Sequence, residues 1–315
     1  MSKTVPAHRA ALGSTAVGVL AMLVALTAWS GFALSLRGAS RSSLELADIA
    51  AIRFAVPALA LAWRVPRTLR ALRLENRGAL AALCVGAGAP YVAIVAAGGA
   101  LTSATFVGLM TPGTVPLAVA GLRAMSRRGT ATRTQGLGLV LIGSGATAYA
   151  VRSDLPAEGI VLLALAAVLW GAYTLAVHET TLDPLDVTVL VAVPSAVAVA
   201  VVAMTGAMPS ALLAGTAQAV DVVAFVVVQG LLVGVLSSVA YAAAARRLGA
   251  AAAAGFGTLS PAITALMATR AGEPLAGVTA VALVMVVAGS ATPLVAKSAS
   301  RLRKRHRGDV KLVAG

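Results

Sequence analysis

Residues 78–122 read GALAALCVGAGAPYVAIVAAGGALTSATFVGLMTPGTVPLAVAGL, 45 positions between Arg77 and Arg123 without one charged side chain. About 20 consecutive apolar residues cross the hydrocarbon core of a bilayer, so this stretch holds two crossings and a tight turn. Gly98-Gly99 with Thr102-Ser103 marks that turn. Comparable stretches recur along the chain, and the reading is an integral membrane protein.

Composition agrees. Hydrophobic residues make up 59% and charged residues 11% of the 315 positions, against about 45–50% and 25% in soluble domains. The net charge of +14 does not point to nucleic acid, because the basic residues sit between apolar segments, where they set orientation. Cys84, the single cysteine, lies within an apolar segment and reads as a packed thiol with no intrachain disulfide. The first apolar run, Ala10 to Leu36, is too long for the roughly 7–15-residue core of a signal peptide and reads as a first membrane helix. Arginine outnumbers lysine 21 to 4 and alanine is abundant, which fits a GC-rich genome and says little about mechanism.

Charge-free windows and Gly/Pro breaks predict ten helices, at 14–36, 46–63, 78–97, 102–122, 134–151, 159–177, 187–206, 222–243, 250–269 and 275–296. With the N-terminus inside, twenty lysines and arginines share its side: Lys3 and Arg9, the Arg64–Arg77 and Arg123–Arg133 clusters, Arg246 and Arg247, and seven after residue 296. Only Arg37, Arg41, Arg152 and Arg270 fall opposite, and Arg53 lies within a helix. That asymmetry predicts both termini on the cytoplasmic side of a bacterial plasma membrane. The basic tail, 297–315, reads as a topological anchor, with anionic lipid as the sharper alternative.

The halves resemble each other. Trp29-Ser30-Gly31 in segment 1 parallels Trp170-Gly171-Ala172 in segment 6, and Thr114-Val115-Pro116 in segment 4 parallels Leu259-Ser260-Pro261 in segment 9. Gly143-Ser144 and Gly289-Ser290 follow those prolines at 27 and 28 residues. Five helices per half is odd, so the second half inserts from the opposite side. The predicted fold class is therefore all-α and polytopic, ten helices in two inverted five-helix repeats, 1–152 and 153–296. Inverted repeats put substrate sites near the midplane, at the interface of the halves.

These residues, with Arg53 and Glu273, give the chain over about 14–296 a form that resembles the drug/metabolite transporter superfamily, in particular its EamA-type ten-helix members. The resemblance implies export or exchange of small metabolites through a central cavity. Two departures stand out: segment 7 has no arginine to match Arg53, and aromatics amount to only 4%.

Arg53 is the one charge well inside a helix. An intramembrane arginine costs at least about 2.5–3.5 kcal/mol, so it should face a partner, a cavity or an interface. At roughly 10 Å from the outer end, by the rise per residue of a helix, it either snorkels outward beside Asp48 or meets an anionic group in the pathway. Trp29, Tyr91, Trp170, Tyr173 and Tyr241 are candidates to line that pathway by stacking, or else pack between helices. Thr111, Ser237, Ser238 and Thr258 offer hydroxyls that either face solute or bond their own backbone. Pro116 and Pro261 are hinge candidates. Glu273, at a helix end, is a candidate for coupling.

All eleven acids fall in loops or at helix ends, and His8, His178 and His306 are peripheral. A facilitator, an exchanger, or proton coupling through Glu273 follows as the expectation. No catalytic, cofactor or metal constellation is present at membrane depth, so an enzyme is not expected. The partners expected are a small-molecule substrate and the lipid bilayer, with the oligomeric state left open. An acid-free interior favours neutral, zwitterionic or aromatic solutes, amino acids or amphiphilic compounds among them. The alternative is a non-transporting membrane scaffold or subunit.

Overall fold

A computed structural model describes residues 15–30, 42–126, 131–270 and 277–292. Every regular element among them is a helix. Glu273 and the basic tail lie outside the described residues.

The apolar windows become α1 (Thr15–Ser30), α2 (Leu46–Ala60) with α3 (Val65–Leu72), and α4 (Arg77–Ala87) with α5 (Ala89–Ala100). Next come α6 (Ala104–Met110) with α7 (Val115–Met125), α8 (Arg133–Arg152), α9 (Ala157–Glu179) and α10 (Pro184–Met204). A short α11 (Ala211–Ala214) precedes α12 (Ala219–Phe225), a π-helix (Val226–Ser237) and α13 (Ser238–Leu248), which run on as one rod. α14 (Ala250–Gly257), α15 (Leu259–Arg270) and α16 (Gly277–Thr292) complete the order. Six of these rods are long and apolar enough to cross a membrane.

The helix expected at 46–63 is bent. α2 gives way at Leu61 to a 3-10 turn, Ala62–Arg64, and α3 leaves at 56°. Pro57 within α2 has no N–H to give the ladder, which weakens the turn just before the bend. Part of the expected basic loop is thus the helical α3. Pro116 and Pro261 both fall in the first turn after a break, at Thr111–Thr114 and at Thr258. There the missing N–H costs little, because first-turn N–H groups lack intrahelical partners anyway.

Large apolar side chains face outward all round the bundle, Leu20, Val140, Val161, Val197, Val223 and Val284 among them. Water would penalise that surface, whereas lipid covers it. Inside, α9 packs on α4, α5 and α7, while α2 lies between α10 and the π-helix. Gly138 of α8 and Gly289 of α16 meet reciprocally. A Cβ on Gly138 would sit 2.2 Å from the Gly289 carbonyl oxygen, and one on Gly289 2.4 Å from that of Gly138.

Contacts between connections sort them onto two ends. At one end Ser43 donates through N–H and hydroxyl to Asp221, each at 2.7 Å, and Ser210 donates to Asp48 at 2.5 Å. The Ser103 and Tyr149 hydroxyls pair there at 3.3 Å. At the other end Arg64 meets Asp186 at 3.1 Å and Asp183 at 3.0 Å, Thr181 N–H donates to Glu75 at 2.7 Å, and Arg246 donates to the Thr181 carbonyl at 3.3 Å. Successive rods therefore run in alternate directions. Arg64, Arg246 and Arg247, which charge counting put on one side, share the second end, where Gly18 of α1 approaches Arg247 and Leu248.

Candidate functional site

A cleft opens where α1, α2, α9, α10 and the junction of the π-helix with α13 converge. Its cavity volume is about 30 Å³, room for about one water and far below the roughly 300–1,000 Å³ usual for small-molecule sites, so the side chains close it down in this conformation. Trp29, Arg53, Trp170, Tyr173, Ser237 and Tyr241 line it, joined by Ser238 and Thr188. No carboxylate stands among its lining residues.

The rings form one cluster. Trp29 meets Trp170 edge-on at 5.6 Å and Tyr241 at 5.2 Å between centroids. Trp170 also touches Tyr91 and Tyr173, both at 5.1 Å, and Tyr173 stacks on Tyr241 at 6.0 Å. Such offset and edge contacts hold rings rigidly, at about 0.5–1.5 kcal/mol each beyond their burial. The Tyr241 hydroxyl is fixed by Thr174 at 2.8 Å, and Thr174 in turn donates to the Trp170 carbonyl at 2.8 Å. The five aromatics singled out in the sequence, scattered over 213 residues from Trp29 to Tyr241, thus come together.

Arg53 turns toward this cleft rather than to the end of the bundle. Its Nη1 donates to Oε1 of Gln229 at 3.3 Å, and Gln229 is fully buried in the π-helix. Asp48 faces α11 instead. Gly230 and Gly234 let the π-helix come close, since a Cβ on Gly234 would lie 2.7 Å from the Arg53 carbonyl oxygen. Gln229 has no signal in the sequence. Neither an isolated amide in an apolar run nor a π-helix leaves a periodicity that would mark it.

The hydroxyls divide. Ser237 lines the cleft, yet both Ser237 and Ser238 donate to the Val233 carbonyl, at 2.7 and 3.2 Å. Thr111 and Thr258 do not line it. Each donates to a carbonyl of its own helix at 2.7 Å, Val107 and Gly255, beside the breaks that precede α7 and α15. Tyr91 meets the ring cluster at Trp170 and is not among the lining residues, although Arg53, Thr111 and Tyr241 are near it. Among the described residues no group of three or more His, Cys, Asp or Glu side chains is arranged to hold a metal ion.

No curated protein matches the sequence. A solved structure described only as "Crystal structure of protein" superposes over 88% of this chain and 97% of its own, with a TM-score of 0.59 at 19% identity, a likeness of fold. Residues 157–292 match the EamA-like transporter family. This agrees with the drug/metabolite transporter resemblance carried by Trp29, Arg53 and Pro116 in the first half. Over that matched segment the chain is similar in sequence to the EamA-like transporters, a family of membrane transporters.

Proposed function

We propose that the chain crosses a bacterial plasma membrane ten times as two inverted repeats, 1–152 and 153–296, with both termini cytoplasmic. It moves small amphiphilic or aromatic metabolites, amino acids among them, by alternating access, as an exporter or exchanger. The observation that carries this reading is the aromatic-walled cleft with Arg53 at its side, built from helices of both halves.

Further support comes from the way matching parts meet. α2 contacts α10, α7 contacts α14, and α8 contacts α16. In a twofold-related pair of repeats these are the second, fourth and fifth helices of each half meeting their own counterparts. The alternation of rod directions fits an odd number of crossings per half, and the shared end of Arg64, Arg246 and Arg247 fits a cytoplasmic face.

The test is counterflow. Purified protein is reconstituted into liposomes preloaded with a panel of amino acids and aromatic acids and amines, and labelled solute is added outside. Saturable exchange of at least one solute, lost in Trp170→Ala, is the expected result. No exchange across the panel by a folded protein overturns the reading in favour of a scaffold.

A further inference from the structure

Two helices that pack against each other and share the wall of the cleft begin alike. α2 and α10 each carry an aspartate as third residue, Asp48 and Asp186. Both are buried, at 1% and 2% exposure, and they stand at opposite ends of the bundle.

Each aspartate reaches across to the segment through which the other helix leaves. Asp48 accepts from Ser210 Oγ at 2.5 Å, Ala211 N–H at 2.8 Å and Leu212 N–H at 3.4 Å, just beyond the end of α10. Asp186 Oδ1 accepts from Arg64 Nε at 3.1 Å and Thr68 Oγ1 at 2.8 Å, just beyond the end of α2. Asp183, the residue that caps α10, adds a second contact to Arg64 at 3.0 Å. Between the two sets lie Arg53, Phe54 and Pro57 of α2, and Thr188, Val191 and Ala192 of α10, all on the wall of the cleft.

We infer that Asp48 and Asp186 are opposed latches. Each one fastens the exit of the partner helix over one end of the cleft, and that end opens only when its aspartate releases those bonds. The inference rests on the transporter reading. Alternating access requires that the ends open in turn, so loosening one latch shifts the population toward opening at that end and away from the other.

The latches differ in chemistry. Asp48 uses both oxygens on neutral donors, because Glu45 N–H also donates to Oδ2 at 2.9 Å. In Asp48→Asn an amide NH₂ must therefore oppose at least one N–H or O–H donor. Asp186 uses a single oxygen for both Arg64 and Thr68, so Asp186→Asn keeps an acceptor and loses only the charge facing Arg64. Asp48→Asn should have the larger effect.

The experiment places a reporter cysteine on the cleft wall, Ser238→Cys, in a Cys84→Ser background, in sealed vesicles of both orientations. The rate of modification by a membrane-impermeant maleimide is read from each side. Asp186→Asn should raise the rate from the Arg64 end and lower it from the other. Asp48→Asn should do the reverse, by about tenfold or more, as expected for losing hydrogen bonds to an ionised group. Should either variant fail to fold, Thr68→Val and Ser210→Ala each remove one donor, keep both aspartates, and should shift rates in the same senses by about threefold. Changes at the same end for both aspartates, or none in any variant, overturn the inference. Counterflow measured in parallel separates the two readings. End-specific labelling without exchange of any solute leaves the latches and overturns transport, whereas exchange with unaltered labelling overturns the latches alone.

Discussion

The crossing of α2 with the π-helix and the crossing of α10 with the α4–α5 break hold matching places in the two proposed repeats, and they are filled differently. At the first, Gly230 and Gly234 bring backbone against Val56 and Arg53, and a cation meets a buried amide. At the second, Gly88 opposes Ser195, whose hydroxyl accepts the Ala89 N–H at 3.0 Å where the ladder is interrupted. Both are places where a helix departs from regular α geometry beside the cleft. One break is closed by a neutral hydroxyl, while the other widens and presents Gln229 to an arginine. Small residues fix where the helices meet, and the polar residue decides what the cavity offers a solute. The cleft is consequently one-sided in charge although the proposed frame is twofold.

Substitutions at these two junctions test that distinction. The largest effect is expected from Gly88→Ala, whose Cβ would lie 2.2 Å from the Cys84 carbonyl oxygen and 2.6 Å from Ser195 Oγ. Such overpacking should cost about 3 kcal/mol, read as a lower melting temperature in detergent. Gln229→Leu comes next, at about 2 kcal/mol, since it takes an acceptor from a charged donor, and it should also slow counterflow. Ser195→Ala removes the neutral cap and should cost about 1 kcal/mol, leaving solute preference unchanged. A loss of preference in Ser195→Ala equal to that in Gln229→Leu would erase the contrast. Gly143→Ala is the control. Its nearest neighbour would be Leu117 at 3.9 Å, so its melting temperature should stay within the equivalent of about 0.5 kcal/mol.

The apolar windows were legible because a bilayer demands long uncharged stretches, and among the described residues six of the resulting helices are long and apolar enough to cross a membrane. The aromatic lining was legible too, since Trp and Tyr are rare enough here that Trp29, Trp170, Tyr173 and Tyr241 stand out. Arg53 could be recognised as needing a partner but not matched to one, because Gln229 lies 176 positions away. Arg64 read as a loop charge just past a span, yet it is only 7% exposed. Its burial depends on Asp183 and Asp186, more than a hundred residues on. Asp48 and Asp186 likewise read as ordinary helix-end acids. What the sequence hides in each case is a long-range partner, which local periodicity does not encode.

The placement of the tryptophans gives the protein a built-in optical reporter. Trp29 and Trp170 share the cleft, while Trp63 stands 67% exposed near the bend after α2. With Trp63 changed to Phe, every indole photon emitted would originate at the cavity wall. Occupancy could then be titrated by quenching in unlabelled protein, before anything is known about which way the cargo travels.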